Sequence, residues 1–188
     1  MRKTKTDVIV IGAGQAGLAI SYYLTKAKIE HIILERGSIA NAWKNERWDS
    51  FCLVTPNWTI TLPGALDNPV DPDAFMKKDD FVRLLENWAK SFRAPVMEGI
   101  CVSDLIRTGN EFKIVTDSRV FFANQVIIAT ATYQRPKIPL MLSSLDPRWE
   151  LKTAIDYKNP DSLREGAVLV VGSGQSGCQI AEELNNAG

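Results

Sequence analysis

One short pattern occurs twice in this chain, and it limits what the chain can fold into more than any other feature. Val8 to Ile11 is a continuous apolar run that leads straight into Gly12-Ala13-Gly14-Gln15-Ala16-Gly17. Val168 to Val171 leads in the same way into Gly172-Ser173-Gly174-Gln175-Ser176-Gly177, at an offset of 160 residues. An apolar run of this length predicts a fully buried strand, and G-x-G-x-x-G directly after it is a dinucleotide-binding fingerprint. In the first copy Gly12 permits the tight strand-to-helix turn. Gly14 lets a pyrophosphate approach the backbone, and Gly17 lets the helix lie against the strand. The helix N-terminus offers free N–H groups and a positive dipole. Residues Leu18 to Lys26 predict that helix, with Leu18, Ala19, Tyr22 and Tyr23 on its inner face. A second apolar run, Ile32 to Leu34, ends on Glu35, eighteen residues after Gly17. An acid there can accept both hydroxyls of an adenosine ribose and repels a 2′-phosphate, which favours FAD or NAD over NADP at this site.

The second copy predicts a strand, a phosphate turn and a helix from near Gln175 to about Asn185, with a pyrophosphate at its N-terminus. Gly188 lies eleven residues past Gly177, before a further strand or a ribose-reading residue. The expectation is therefore a second dinucleotide unit that is C-terminally incomplete. Its first strand would have unpaired N–H and C=O groups, which predicts self-association through exposed sheet edges.

Between the two copies the pattern changes. Gly37 to Asn57 follows no helix or strand period and reads as a long packed loop, with Trp43, Trp48, Phe51 and Trp58 in or beside it. Pro63-Gly64, Pro69 and Asp71-Pro72-Asp73 mark turns. Asp79 or Asp80 is the expected cap of a helix from about Phe81 to Phe92, with Phe81, Leu84, Leu85, Trp88 and Phe92 as its core stripe. Ile100 to Arg107, Glu111 to Thr116 and Arg119 to Ala123 predict an antiparallel meander, turned at Gly109-Asn110 and Asp117-Ser118. Val126 to Ala129 predicts a separate return to the parallel sheet. Tyr133 to Arg148 and Asp156 to Leu163 read as irregular connections.

Composition narrows the function classes. The chain has 22 basic and 22 acidic residues, a balance that gives no footprint for nucleic acid or an anionic membrane. No apolar stretch reaches the roughly 18 residues of a membrane helix, and the basic N-terminus lacks a signal-like apolar segment, so a cytoplasmic protein is expected. Cys52, Cys101 and Cys178 form no C-x-x-C pair and are expected to be buried thiols. No metal site is expected. His31, the only histidine, begins a strand and reads as structural.

Two phosphate turns separated by a meander resemble the two-dinucleotide-binding flavoproteins. The wording is most similar to the flavin-containing monooxygenase family, in its bacterial branch of flavoprotein oxidoreductases. The residues that carry this are GAGQAG at 12–17, Glu35, Trp43, RWDSF at 47–51, VTPNW at 54–58, LPG at 62–64, VIIATATYQRPKIP at 126–139, DYKNP at 156–160 and VLVVGSGQSGCQIAEEL at 168–184. The resemblance implies an α/β fold: a Rossmann-like FAD domain over residues 1–150 with a meander at about 100–123, then the start of an NADPH domain over 151–188. It implies FAD held by Gly12, Ala13, Gly14, Gln15, Ala16, Gly17, Glu35, Arg36, Trp43, Arg47, Ala129 and Thr130. It implies NADPH held by Gly172, Ser173, Gly174, Gln175, Ser176 and Gly177. Family members reduce the flavin with NADPH, form a flavin hydroperoxide with O2 and oxygenate a soft nitrogen, sulfur or carbonyl substrate. The partners implied are thus a small-molecule substrate and O2.

The chain departs from the family pattern in two places. The alanine-threonine-glycine motif stands as Ala129-Thr130-Ala131, and Asp146, Arg148 and Lys152 occupy the F-x-G-x-x-x-H signature that should precede DYKNP. Asn57 is not assigned the family's catalytic asparagine role. The alternative readings are a flavin reductase without oxygenation, and a non-catalytic remnant that binds FAD or a partner chain.

Overall fold

The computed structural model describes residues 3–65, 71–132 and 135–188. The turn expected at Pro69 and the start of the connection at Tyr133 lie outside the described residues. Strand β1 (Lys3–Ile11) sits at the centre of a six-stranded sheet. On one side it pairs in parallel with β2 (His31–Leu34), which pairs in parallel with the short β3 (Val96–Met97). On the other side it pairs in parallel with β6 (Val120–Ile128). Beyond β6 lie β5 (Glu111–Thr116) and then β4 (Val102–Thr108), both antiparallel, so the order is β3-β2-β1-β6-β5-β4.

The apolar run of β1 is continuous because both of its faces are covered, as in other buried parallel strands. Val8 and Val10 pack with Ile33, Leu18, Phe81, Leu85 and Trp88 on one face. Ile9 packs with Leu34, Ile114, Phe121 and Ala123 on the other. Helix α1 (Gln15–Lys26) and helix α3 (Lys78–Ser91) supply the first of these layers.

Several expectations are corrected. Helix α1 starts at Gln15, not Leu18, and its buried residues are Gly17, Leu18 and Ser21, while Tyr23 is 61% exposed. Ala19 and Tyr22 do pack against the core as expected, and Tyr22 lies edge-on to Phe92 at 5.4 Å. Lys77 is the N-cap of α3, and Asp79 and Asp80 lie in its first turn, where their charge still favours the dipole. The loop after Gly37 contains a short helix, α2 (Asn41–Asn45). The two strands expected at Arg119–Ala123 and Val126–Ala129 are one strand, β6. Asn124 and Gln125 interrupt the apolar pattern without interrupting the strand, because Asn124 Nδ2 donates to Asp7 Oδ1 at 3.1 Å across the β1–β6 ladder. The N-terminal part of β6 therefore belongs to the meander, and its full length belongs to the parallel sheet.

Val168 to Val171 joins no ladder among the described residues, although the pattern predicts a strand there. Val168, Leu169 and Val171 are open to solvent, with Leu169 78% exposed, while Val170 packs against the cluster of Trp48, Tyr157 and Ile180. The thiols also differ from expectation: Cys52 is half-buried, and Cys101 and Cys178 are exposed. His31 is structural as expected, with its ring nitrogens 2.7 Å from Ser21 Oγ and 2.9 Å from the Ile29 carbonyl oxygen. Among the described residues no helix is long and apolar enough to cross a membrane.

Candidate dinucleotide site

β1 ends at Ile11, and the chain turns at Gly12 with φ +104°, which an L side chain rarely adopts. A Cβ at Gly12 would meet the Ala129 carbonyl oxygen at 2.6 Å, and a Cβ at Gly17 would overlap the Gly12 carbonyl. The end of β6 and the first turn of α1 thus close on the turn from two sides. Gly14 differs from both, since a Cβ there would meet nothing within 4 Å. It is also the N-cap of α1, with no side-chain cap and no acid in the first turn. The first N–H groups of α1 therefore face open space beside an uncrowded backbone, which is the cradle a pyrophosphate needs.

Glu35 completes the cradle. It is only 7% exposed, and its carboxylate holds the turn directly. Oε2 accepts the Ala13 N–H at 2.8 Å, and Oε1 accepts the Gly37 N–H at 2.9 Å. A carboxylate has about four acceptor positions, so two remain for ribose hydroxyls. These residues fit the adenosine end of a dinucleotide.

The other residues expected here are only partly brought together. Ala129 and Thr130 border the turn: the Ala129 N–H donates to Ile11 O at 2.8 Å, and both backbones lie beside Gly12. Trp43 and Arg47 come together on the following loop, with the guanidinium 5.4 Å from the Trp43 ring centroid and 5.7 Å from that of Phe51. Arg36 forms an ion pair with Glu46. Sequence reasoning missed Ala40, whose N–H donates to Ala13 O at 3.1 Å and whose backbone is left-handed at φ +61°. An unremarkable alanine inside a loop gives no signal of this.

Ala131 replaces the family's glycine and is also left-handed, at φ +60°. That conformation costs a side chain roughly 1–2 kcal/mol. Ala131→Gly is expected to stabilise the chain by about 0.5–1 kcal/mol after the entropy added to the unfolded state, which denaturant unfolding would measure.

The second turn repeats the local geometry of the first. Gly172 has φ +115°, Gly174 is the N-cap of helix α4 (Gln175–Ala187), and a Cβ at Gly177 would overlap the Gly172 carbonyl. Nothing lies within 4 Å of a Cβ at Gly172 or Gly174, and Gly172 through Ser176 are exposed. The first turn is walled in by β6 and the second is open.

A compact patch fastens α4 to the loop after α2. Gln179 holds the backbone of one residue through both of its polar groups: its Nε2 donates to Cys52 O at 3.0 Å, and the Cys52 N–H donates to its Oε1 at 3.2 Å. Asn159 Nδ2 donates to Asp49 Oδ2 at 2.7 Å, and the Asp49 N–H donates to Lys158 O at 2.8 Å. Trp48, Tyr157 and Ile180 form a small core beneath, and the Tyr157 hydroxyl donates to Glu183 at 2.6 Å. Burial, together with the neighbouring Glu183 carboxylate, pushes the Tyr157 hydroxyl well up. The Asn159 amide, with Lys78 and Lys158 nearby, holds Asp49 below the usual carboxylate range. A lowered folded value means that Asp49 stabilises the patch above its unfolded pKa of about 3.9 and loses that contribution as pH falls through the folded value. Tryptophan emission followed against pH is therefore expected to show acid loosening, and Asp49→Asn should flatten it.

Residues 9–188 match the pyridine nucleotide-disulphide oxidoreductase family. An uncharacterized oxidoreductase, CzcO-like, of Geobacillus kaustophilus is 42% identical over 182 residues, which cover 95% of this chain and 51% of that protein. The probable indole-3-pyruvate monooxygenase YUCCA1 of Arabidopsis thaliana is 32% identical over 181 residues, covering 94% of this chain and 44% of its own. Among solved structures, a mutant of the flavin monooxygenase from Stenotrophomonas maltophilia superposes with a TM-score of 0.86 at 26% identity, covering 97% of this chain and 55% of that one. The chain thus spans about half the length of these relatives. Bacillithiol disulfide reductase from Staphylococcus aureus, with a TM-score of 0.84 at 18% identity, shares the fold. With this match and this fold, the chain belongs to the pyridine nucleotide-disulphide oxidoreductase family, among its flavin monooxygenase members.

Proposed function

We propose that these residues form the FAD-binding part, and the beginning of the NADPH-binding part, of a flavin-dependent monooxygenase that oxygenates a soft nitrogen, sulfur or carbonyl substrate. The observation that carries the reading is the Glu35 carboxylate, buried and bonded to the Ala13 N–H beside the open backbone of Gly14. Gly12 to Gly17, Glu35, Ala129 and Thr130 hold the adenosine and pyrophosphate of FAD in this reading, and Trp43 with Arg47 flank it. The open turn at Gly172 to Gly177 receives the NADPH pyrophosphate. FAD supplies the redox and oxygen chemistry when bound, and the protein orients it and excludes water.

Hydride transfer requires the nicotinamide within roughly 3–3.5 Å of the accepting atom. Within these 188 residues the second turn is solvent-exposed, and Val168 to Val171 has no pairing strand among the described residues. The 188-residue chain is therefore expected to bind FAD but to take NADPH only at millimolar concentration or weaker, with little turnover. The test supplies FAD and NADPH with a thioether or tertiary amine, and follows NADPH loss and oxygenated product together. FAD binding with negligible coupled turnover fits the account. Sustained coupled turnover would show that these residues suffice, and absence of FAD binding would remove the flavin reading.

Exposed Val168, Leu169 and Val171 favour a second reading, in which the chain binds FAD and associates with another chain without catalysis of its own. Sedimentation of the FAD-loaded chain separates the two: a stable monomer counts against association.

A further inference from the structure

The loop between the two phosphate turns touches the first turn and the helix that follows the second. At one end, the Ala40 N–H donates to Ala13 O inside the first turn, while Glu35 holds the Ala13 N–H. The Ala13 residue is therefore fixed through both its N–H and its carbonyl. At the other end, Gln179, two residues past the last glycine of the second turn, holds both the N–H and the carbonyl of Cys52. A continuous stack joins the two ends. Trp43 packs on Phe81 at 4.9 Å, Arg47 lies over Trp43 and Phe51, and Trp48 packs on Phe51 at 4.9 Å. Lys158 Nζ also donates to Asn45 O at 2.6 Å, which ties the segment before α4 to α2. Apart from this patch, residues 151–188 have no sheet pairing to hold them among the described residues. How firmly α4 is held is thus decided where it meets this loop.

We infer that residues 40–53 form a strap coupling the two dinucleotide sites, with Gln179 and Asn159 as positioning residues that transmit occupancy of the first turn to α4. The inference rests on the reading of the first turn as an FAD site. A dinucleotide bound at that turn restrains Ala13, Ala13 restrains Ala40, and the strap opens less often from α4. Local opening is the quantity such coupling changes, and a ligand that binds only the closed arrangement lowers its population. The second turn, carried on the N-terminus of α4, is then presented in one orientation once FAD is in place. Gln179 has no counterpart in the first copy of the motif, where Ala19 stands at the equivalent position.

Amide hydrogen exchange of residues 176–187, measured with and without saturating FAD, tests this on the 188-residue chain. In the native chain FAD is expected to slow exchange in α4 by about 5–10-fold, the lower range of coupling between sites. In Gln179→Ala, FAD should bind with unchanged affinity while the slowing falls below about twofold. Alanine favours helix, so α4 persists in this variant, and circular dichroism confirms it. Asn159→Ala, on the other side of the patch, should reduce the slowing as well. A merely structural role would raise exchange in the variants but leave the FAD-dependent difference intact. That result, or FAD binding to the native chain without any response in α4, overturns the strap. If FAD does not bind at all, the flavin reading falls and the strap falls with it.

Discussion

Glu35→Ala is expected to weaken FAD binding at least about tenfold and to destabilise the chain. The two effects have separate causes. Ribose hydroxyls donating to a carboxylate contribute on the order of 1.5–3 kcal/mol each, and about 1.4 kcal/mol is a factor of ten in affinity. The carboxylate is also the acceptor for the Ala13 and Gly37 N–H groups, and an unsatisfied buried donor costs about 1–3 kcal/mol. Equilibrium unfolding of the FAD-free variant gives the second effect, and FAD titration gives their combination. Glu35→Gln keeps one acceptor oxygen, so it should recover part of the stability and less of the affinity. If Glu35→Ala bound FAD as tightly as the native chain, the ribose assignment would be wrong.

The second large effect separates two glycines of the same motif. Gly17→Ala places a methyl on the Gly12 carbonyl oxygen at a buried position, so α1 must shift from the end of β1. Overpacking of this kind costs about 1–3 kcal/mol, and the loss should appear in unfolding before any ligand is added. Gly14→Ala meets nothing within 4 Å, and its backbone, at φ −82° and ψ −173°, suits any residue. Its stability should fall by about 0.5–1 kcal/mol at most, because alanine is a poorer N-cap than glycine. Its methyl instead occupies the approach to the phosphates, so FAD affinity should fall about tenfold or more. Equal destabilisation by the two substitutions would mean that Gly14 does not face a ligand cradle.

The features legible in the sequence were those set by neighbours close along the chain. The passage from Val8 through Gly17 to Glu35 carries its own strand, turn and helix chemistry, and Glu35 sits where that chemistry places it. The stripe from Phe81 to Trp88 states its buried face through helical spacing. What was illegible depends on distant partners. Asn124 and Gln125 read as a break between strands, because their pairing with β1 lies 117 residues away for Asn124 and Asp7. Val168 to Val171 has every local property of a strand, yet a ladder needs a neighbour, and none is present among the described residues. Tyr23 falls on the expected inner face but is exposed, since Leu18 and Ser21 fill the space against the sheet. Gln179 and Asn159 gain their roles only when α4 meets the loop after α2, a contact with no local signature.

The central claim is that the first turn reads the adenosine and pyrophosphate half of a dinucleotide. The most direct measurement titrates the flavin-free chain with FAD and with FMN, then adds ADP as competitor. FMN carries the same ring and a phosphate but no adenosine for Glu35. The account predicts saturable FAD binding that ADP displaces, with FMN at least about tenfold weaker because the ribose bonds to Glu35 are missing. FMN binding as tightly as FAD, with no displacement by ADP, would contradict it.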